Sequence, residues 1–284
     1  FGVGDMIAFA LTRLQTTEAE ILIGIGGSAT NDGGIGMAQA LGWQFLDKDG
    51  KDICFRKKEG YCAQSITGLH HILPPQSYAS LSSSPSGLRA EGKILNSKFR
   101  IFILSDVNNP LLGPTGASYV YARQKGAKDT DLPELEKLLT HLRDIAKHDL
   151  NTDMNTIKGG GAAGGLGAGL VTFLGAEIKP GLTEVARLTG LEEKIQQADL
   201  VITGEGKIDA QTEFDKGPHL IAKLAKKHGK KVIALCGFKA ASPGVFDAVF
   251  GTNELPDFNP KTIASSAATL LSKLAKETII TTRH

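Results

Sequence analysis

Apolar and polar positions along this chain follow two periods, and the places where one gives way to the other mark its elements. The run Ile21-Leu22-Ile23-Gly24-Ile25 stops at Gly26-Gly27-Ser28-Ala29-Thr30-Asn31-Asp32-Gly33-Gly34, and a small-residue helical pattern follows through Met37, Ala38, Ala40 and Leu41. This predicts strand, polar glycine loop and helix, with the helix starting near Gly34 because glycines inside a helix each cost roughly 1 kcal/mol relative to alanine. Upstream, Asp5 is placed to cap a helix that carries Ile7, Ala10, Leu11 and Leu14 on one face. Downstream, Trp43 to Asp47 reads as a short strand and Asp47-Lys48-Asp49-Gly50 as a turn. Periodicity fades from Phe55 to Ser97, an irregular excursion in which the His70-His71 pair reads as solvated.

Phe99 to Leu104 is the second clear strand, and it stops at Ser105-Asp106-Val107-Asn108-Asn109-Pro110. Leu135, Leu138, Leu139, Leu142, Ile145 and Ala146 then form one helical stripe behind a capping-box pattern at Asp131 and Glu134. After Pro180-Gly181 the pattern becomes regular: helix from Thr183 to Gln197, strand from Asp199 to Thr203, helix near Pro218 to Lys227, strand from Lys231 to Leu235, a short strand at Ala248 to Phe250, and a last helix through Ile263, Ala267, Leu270, Leu271 and Leu274. The expected fold class is therefore α/β, with two α/β domains. Residues 1–182 form a glycine-rich-loop domain on the substrate side, and 183–284 a Rossmann-like domain with a parallel sheet. Strand ends after Ile25, Leu104, Thr203 and Leu235 are expected to converge on a cleft between the domains.

Composition narrows the classes. A chain of 284 residues with 41% hydrophobic and 22% charged content suits a globular protein of about two domains. The net charge of +2 leaves no footprint for nucleic acid or a membrane surface, and no apolar run reaches membrane-span length. No signal peptide is visible, and Cys54, Cys62 and Cys236 lack metal spacing, which predicts reduced thiols and a cytoplasmic location, a Cys54–Cys62 bridge being the alternative.

The chemistry sits at the strand ends. Gly26, Gly27, Ser28, Thr30, Asn31 and Gly33 read as an anion or substrate cradle, with Asn108 and the run Gly159 to Gly169, Gly161 and Gly164 in particular, as further contacts. Asp32 is expected to point into the site, and Asp32 or Asp106 to orient or deprotonate an attacking hydroxyl. Arg123 and Lys125 offer a cation for phosphate or carboxylate, with an ordinary charged surface equally open. Glu205 and Asp209 suit Mg²⁺, while Gly204, Gly206, Lys207 and Lys216 suit a nucleotide's phosphates. Such a set fits phosphoryl transfer, although no P-loop or protein-kinase signature is present. Gly24-x-Gly26-x-x-Ala29 with Asp47 also fits a dinucleotide fingerprint, so a nicotinamide-dependent oxidoreductase of a small hydroxy acid stays open, as does a non-catalytic binder of sugar acids.

Four long stretches, IGIGGSATNDGGIGMAQALG, SDVNNPLLGPTGAS, GGGAAGGLGAGL and TGEGKIDAQT, together resemble the bacterial class I glycerate kinase family, in order and through nearly the whole chain. The resemblance implies two α/β domains and ATP- and Mg²⁺-dependent phosphorylation of D-glycerate, typically at the 2-hydroxyl, with a homodimer compatible. The chain opens without Met at Phe1-Gly2-Val3-Gly4-Asp5, which looks like the middle of a family motif. A preceding segment with a lysine-bearing loop and an Asp-Gly-Gly-Glu-Gly-type loop is thus expected to be missing, together with the first strands of the second domain. The family's Gly-Lys-x-Pro becomes Asp215-Lys216-Gly217-Pro218 here.

Overall fold

The computed structural model describes residues 1–13, 18–57, 60–61, 63–75, 89–90, 93–94, 98–209, 217–242 and 244–282. The chain divides into two compact units, Phe1–Gly181 and Leu182–His284.

In the first unit, β1 (Glu18–Gly24), β8 (Lys98–Leu104) and β9 (Glu177–Lys179) form a parallel sheet in the order β1-β8-β9. β1 and β8 pair from Glu18↔Lys98 to Gly24↔Leu104, so both strands end at the same level. Phe99, Ile101 and Ile103 alternate into the core, while Phe102 faces the other way and lies 3.5 Å under the Lys179 ammonium. Around the sheet stand α1 (Gly2–Arg13), α2 (Ile35–Ala40), α3 (Ala117–Tyr121), α4 (Leu132–Leu150) and α5 (Leu166–Leu174). The expected stripe of α4 is real, with Leu138, Leu139, Leu142 and Ala146 buried. An antiparallel pair, β2 (Gln44–Leu46) and β5 (His71–Leu73), brings in Phe45, which meets Phe55 and Phe173 edge-to-face at 5.6 and 5.9 Å. The excursion adds two short ladders, β3 (Arg56–Lys57) with β4 (Gly60–Tyr61) and β6 (Arg89–Ala90) with β7 (Lys93–Ile94).

Two caps differ from expectation. α1 begins at Gly2, so exposed Asp5 lies inside its first turn and supplies dipole complementarity instead of a cap, and Ala10 is exposed. Asp131 makes no side-chain cap for α4; its carboxylate accepts the Lys128 N–H and closes the preceding turn. Leu14 and Cys62 lie outside the described residues, so the first helix's last apolar position and the Cys54–Cys62 alternative do too.

The second unit holds the parallel sheet β10 (Leu200–Ile208), β11 (Lys231–Lys239) and β12 (Ala248–Gly251) in that order. α6 (Gly181–Leu188), α7 (Leu191–Gln197), α8 (Gly217–Lys227) and α9 (Ile263–Thr282) accompany it. The single helix expected over Thr183 to Gln197 is two, because Gly190 takes φ +59° between them and starts α7 on a new axis. Val201, Ile208, Val232, Ala234 and Ala222 form one apolar cluster, and Leu255, Leu270 and Leu274 a second.

Candidate active site

A cavity of about 620 Å³ lies at the C-terminal ends of β1 and β8, where parallel strands bring their following loops together. Ile25 to Ser28 form one wall and Leu104 to Val107 another. Tyr121, Gln124 and Lys125 close it from α3 and the turn behind α3, and Ala162-Ala163 from the glycine run.

The glycines sort into two kinds. A Cβ on Gly26 or Gly27 would meet nothing within 4 Å, and Gly27 holds φ +68°. No packing contact needs these positions small, although the Gly27 backbone favours glycine, and the bare backbone leaves room beside the cavity. A Cβ on Gly33 would instead stand 2.4 Å from Leu142 Cδ2, on Gly161 2.1 Å from the Pro110 carbonyl oxygen, and on Gly164 2.0 Å from the Thr30 carbonyl oxygen. The Gly33 N–H donates to the Gly164 carbonyl and the Gly161 N–H to the Asn109 carbonyl. These three, expected to contact substrate, dovetail backbone against backbone and hold the loops in place. α2 starts at Ile35, six residues past Ala29, so the dinucleotide spacing does not sit at a helix start as its chemistry requires.

Asp32 is placed differently from the expectation that it points into the site. It is 4% exposed, accepts the Thr30 hydroxyl (2.7 Å) and Gly34 N–H (3.1 Å) on Oδ1, and the Gly36 N–H (3.2 Å) on Oδ2. A buried carboxylate requires such partners, and here they fix the loop and the first turn of α2. It does not line the cavity. Asn31 donates to the Ser118 hydroxyl at 3.3 Å, so it too ties the loop to α3.

Asp106 does line the cavity and is exposed, with Oδ1 fixed by the Gly181 N–H at 2.8 Å. Asn108 is exposed outside the lining. Neighbouring Asn109 braces the wall, accepting the Tyr121 hydroxyl (2.6 Å) and donating to the Thr115 carbonyl (2.8 Å). Burial pushes the Tyr121 phenol above its ordinary range, so it stays a neutral donor. The two cations of the Arg123–Lys125 turn separate. Arg123 is exposed and pairs with Asp129 at 2.6 Å, while Lys125 turns inward and donates to the Thr30 carbonyl at 2.6 Å. Burial lowers the Lys125 pKa, and the Asp32 charge opposes that shift. Tyr121 and Ala163 were missed from sequence. Ala163 holds φ +57°, a left-handed strain hidden in a run where a glycine would be expected to carry it.

In the second unit, Gly204, Glu205, Gly206 and Lys207 are not a loop beyond a strand end. They continue β10 in register with β11, from Gly204↔Leu235 and Glu205↔Cys236 to Lys207↔Phe238. Alternation of small and long residues suits an extended strand, and the close approach of Gly204 to the Leu235 carbonyl, 2.5 Å from where a Cβ would be, requires glycine. Asp209 follows the strand and pairs with Lys207 at 3.0 Å. Among the described residues no three His, Cys, Asp or Glu gather as a metal cage. Lys216 lies outside the described residues. Among those described, no helix is long and apolar enough to cross a membrane.

This arrangement, an α/β unit with a cavity of mixed polarity at its parallel strand ends, has the cation and the carboxylate to hold a small polar compound. The chain belongs to the glycerate kinase family, whose model matches residues 1–283. It is 40% identical over 254 residues to "Glycerate 2-kinase" of Escherichia coli (strain K12), covering 88% of this chain and 60% of that protein. It is 40% identical over 236 residues to "Glycerate kinase" of Bacillus subtilis (strain 168), covering 83% of this chain and 56% of that one. A crystal structure of a protein described as glycerate kinase 2 from Salmonella typhimurium LT2 superposes with a TM-score of 0.66 at 39% identity, over 88% of this chain and 60% of that chain. The chain thus spans less than two thirds of the length of these relatives.

Proposed function

We propose that this chain carries out, or forms the greater part of a protein that carries out, ATP-dependent phosphorylation of D-glycerate, with the 2-hydroxyl as acceptor. The observation that carries the reading is the cavity at the ends of β1 and β8, which combines one inward cation, one fixed exposed carboxylate and two glycines that no packing demands. The names of the relatives supply the reaction class, and the Escherichia coli protein's name supplies the 2-position.

In this reading glycerate occupies the cavity beside Gly26, Gly27 and Ser28. Asp106 is the base: its Oδ1 is positioned by the Gly181 N–H, and it takes the proton of the attacking hydroxyl. Asp32, Thr30, Asn31, Gly33, Gly161 and Gly164 act through the shape they give the loop. The nucleotide side falls to the second unit, with Gly206, where a Cβ would meet nothing within 4 Å, and with Lys207 and Lys216. Mg²⁺ in phosphoryl-transfer sites takes one or two carboxylates together with phosphate oxygens, and Glu205 and Asp209 are donors of that type. Bound there, the ion would neutralise phosphate charge. A soluble cytoplasmic enzyme, with a homodimer as its assembly, completes the proposal.

The test is ADP release with D-glycerate, ATP and Mg²⁺, with the product identified by phosphorus NMR. Formation of 2-phosphoglycerate is expected. Phosphorylation at the 3-hydroxyl would move the acceptor, and D-glycerate binding without ADP release would favour the non-catalytic binder.

A further inference from the structure

Lys125 differs from the other lysines around it. The turn that carries it ends at Gly126, which holds φ +98°; the Lys125 side chain reaches the Thr30 carbonyl of the β1 loop while Arg123 stays outside with Asp129. An ammonium has three N–H donors, and the Thr30 carbonyl takes one. Among the described residues no carboxylate pairs with it. Asp32, the acid whose field it feels, has already committed both oxygens to Thr30, Gly34 and Gly36. The carboxylate on the far wall, Asp106, is held by the Gly181 N–H. A half-buried cation that lines the cavity, with N–H donors left over and its neighbouring acid Asp32 not hydrogen-bonded to it, can take a further anionic acceptor from an incoming ligand.

We propose that Lys125 is the carboxylate-recognition residue of this cavity: its remaining N–H groups bind the carboxylate of a short 2-hydroxy acid, and so select acids over neutral polyols. This rests on the cavity being the acceptor site. The division of labour follows from charge. The anionic end of the substrate goes to the cation, which leaves the hydroxyl to Asp106, where a second carboxylate would be repelled. The glycine loop then contributes room and Lys125 contributes the choice of ligand. The transferred phosphate is a competing anion for the same ammonium, and the two make different demands on binding in the absence of nucleotide.

The experiment is calorimetric titration of this chain and two variants with D-glycerate, glycerol and inorganic phosphate, each alone. Lys125→Gln keeps a donor for the Thr30 carbonyl while removing the charge, and Lys125→Arg keeps the charge if the neutral variant folds poorly; melting curves report folding for both. Wild type is expected to bind D-glycerate and to ignore glycerol. Lys125→Gln should bind D-glycerate about 10- to 100-fold more weakly, the size of one charge-assisted hydrogen bond, while Lys125→Arg stays within about tenfold of wild type. Equal D-glycerate affinity in wild type and a folded Lys125→Gln overturns the assignment of Lys125 and leaves the acceptor-site reading standing. Loss of phosphate binding with D-glycerate binding retained assigns the ammonium to the phosphoryl group and also overturns it. Wild type that binds no D-glycerate overturns the acceptor-site reading, and this inference with it.

Discussion

The two units differ in how their apolar clusters are joined. In the first, one continuous core joins Ile101 and Ile103 to the α4 stripe and to an aromatic group at Trp43, Phe45, Phe55 and Phe173. In the second, two smaller clusters stand apart, and both units leave large apolar side chains exposed, Met6 and Phe9 in the first and Leu188, Ile202 and Phe238 in the second. The cavity loops are themselves pieces of the larger core, through Ile25, Ala162 and Ala163. Trp43, the sole tryptophan, reports the first unit alone, whereas far-UV circular dichroism reports both. In urea, the dichroism should begin to fall before the fluorescence changes.

The strongest way to break that order is Gly164→Ala. Its Cβ would stand 2.0 Å from the Thr30 carbonyl oxygen at φ +71°, combining overpacking with left-handed strain, and a loss of about 3 kcal/mol or more is expected from the first unit. Fluorescence should then change first. Gly206→Ala in the second unit, with open space around it, should leave both urea midpoints within about 0.5 kcal/mol of wild type.

The next contrast lies inside the first unit. Asp106→Asn removes the proposed base and should lower turnover about 100-fold, while the exposed side chain keeps an acceptor for the Gly181 N–H and stability changes by less than about 1 kcal/mol. Asp32→Asn should do the reverse in kind. An amide cannot accept on both ends, so the Thr30, Gly34 and Gly36 donors are no longer all satisfied, and about 2 kcal/mol of stability is lost. A folded Asp32→Asn of normal stability with no turnover would return the base role to Asp32.

Acid should weaken both units through different carboxylates. In Asp149 burial raises the pKa, but hydrogen bonds from His148, the Ile72 N–H and His71 outweigh it and hold the pKa below the ordinary carboxylate value. Asp247 is lowered by Lys226 and the Val232 N–H. A depressed folded pKa adds stability above the unfolded value near 4, and that stability disappears as pH falls through the folded value. Unfolding midpoints should therefore drop as pH falls from the unfolded value of about 4 through the lower folded values. Asp149→Asn should flatten the drop seen by fluorescence, and Asp247→Asn only the part seen by dichroism.

Local pattern made much of this fold readable. The β1 strand, the start of α2 at Ile35, the α4 stripe and the β8 strand each follow from a period or a breaker within a few residues. The errors came where tertiary contact decides. Gly161 and Gly164 have the composition of an anion cradle, and only the close approach of distant backbone shows their packing role, while Asp32 is held by Thr30, Gly34 and Gly36 around it. Gly204 to Lys207 looked like a loop because glycine weakens a strand, yet pairing with β11 carries it on. Lys125 and Arg123 are equivalent in sequence, and only their partners, the Thr30 carbonyl and Asp129, tell inward from outward.

The smallest expected effect is the most local. Ala163 lines the cavity at φ +57°, where an L side chain costs about 1–2 kcal/mol, and part of that cost returns if the side chain is removed. Ala163→Gly also gives the unfolded chain more freedom, which offsets some of the gain. A net rise of about 0.5 kcal/mol in the fluorescence-detected transition is expected, with none in the second unit. If the strain merely follows from loop packing, D-glycerate affinity will be unchanged. If the Ala163 methyl group defines the cavity wall, affinity will fall while stability rises, and the first unit will have kept a strained residue for its ligand's sake.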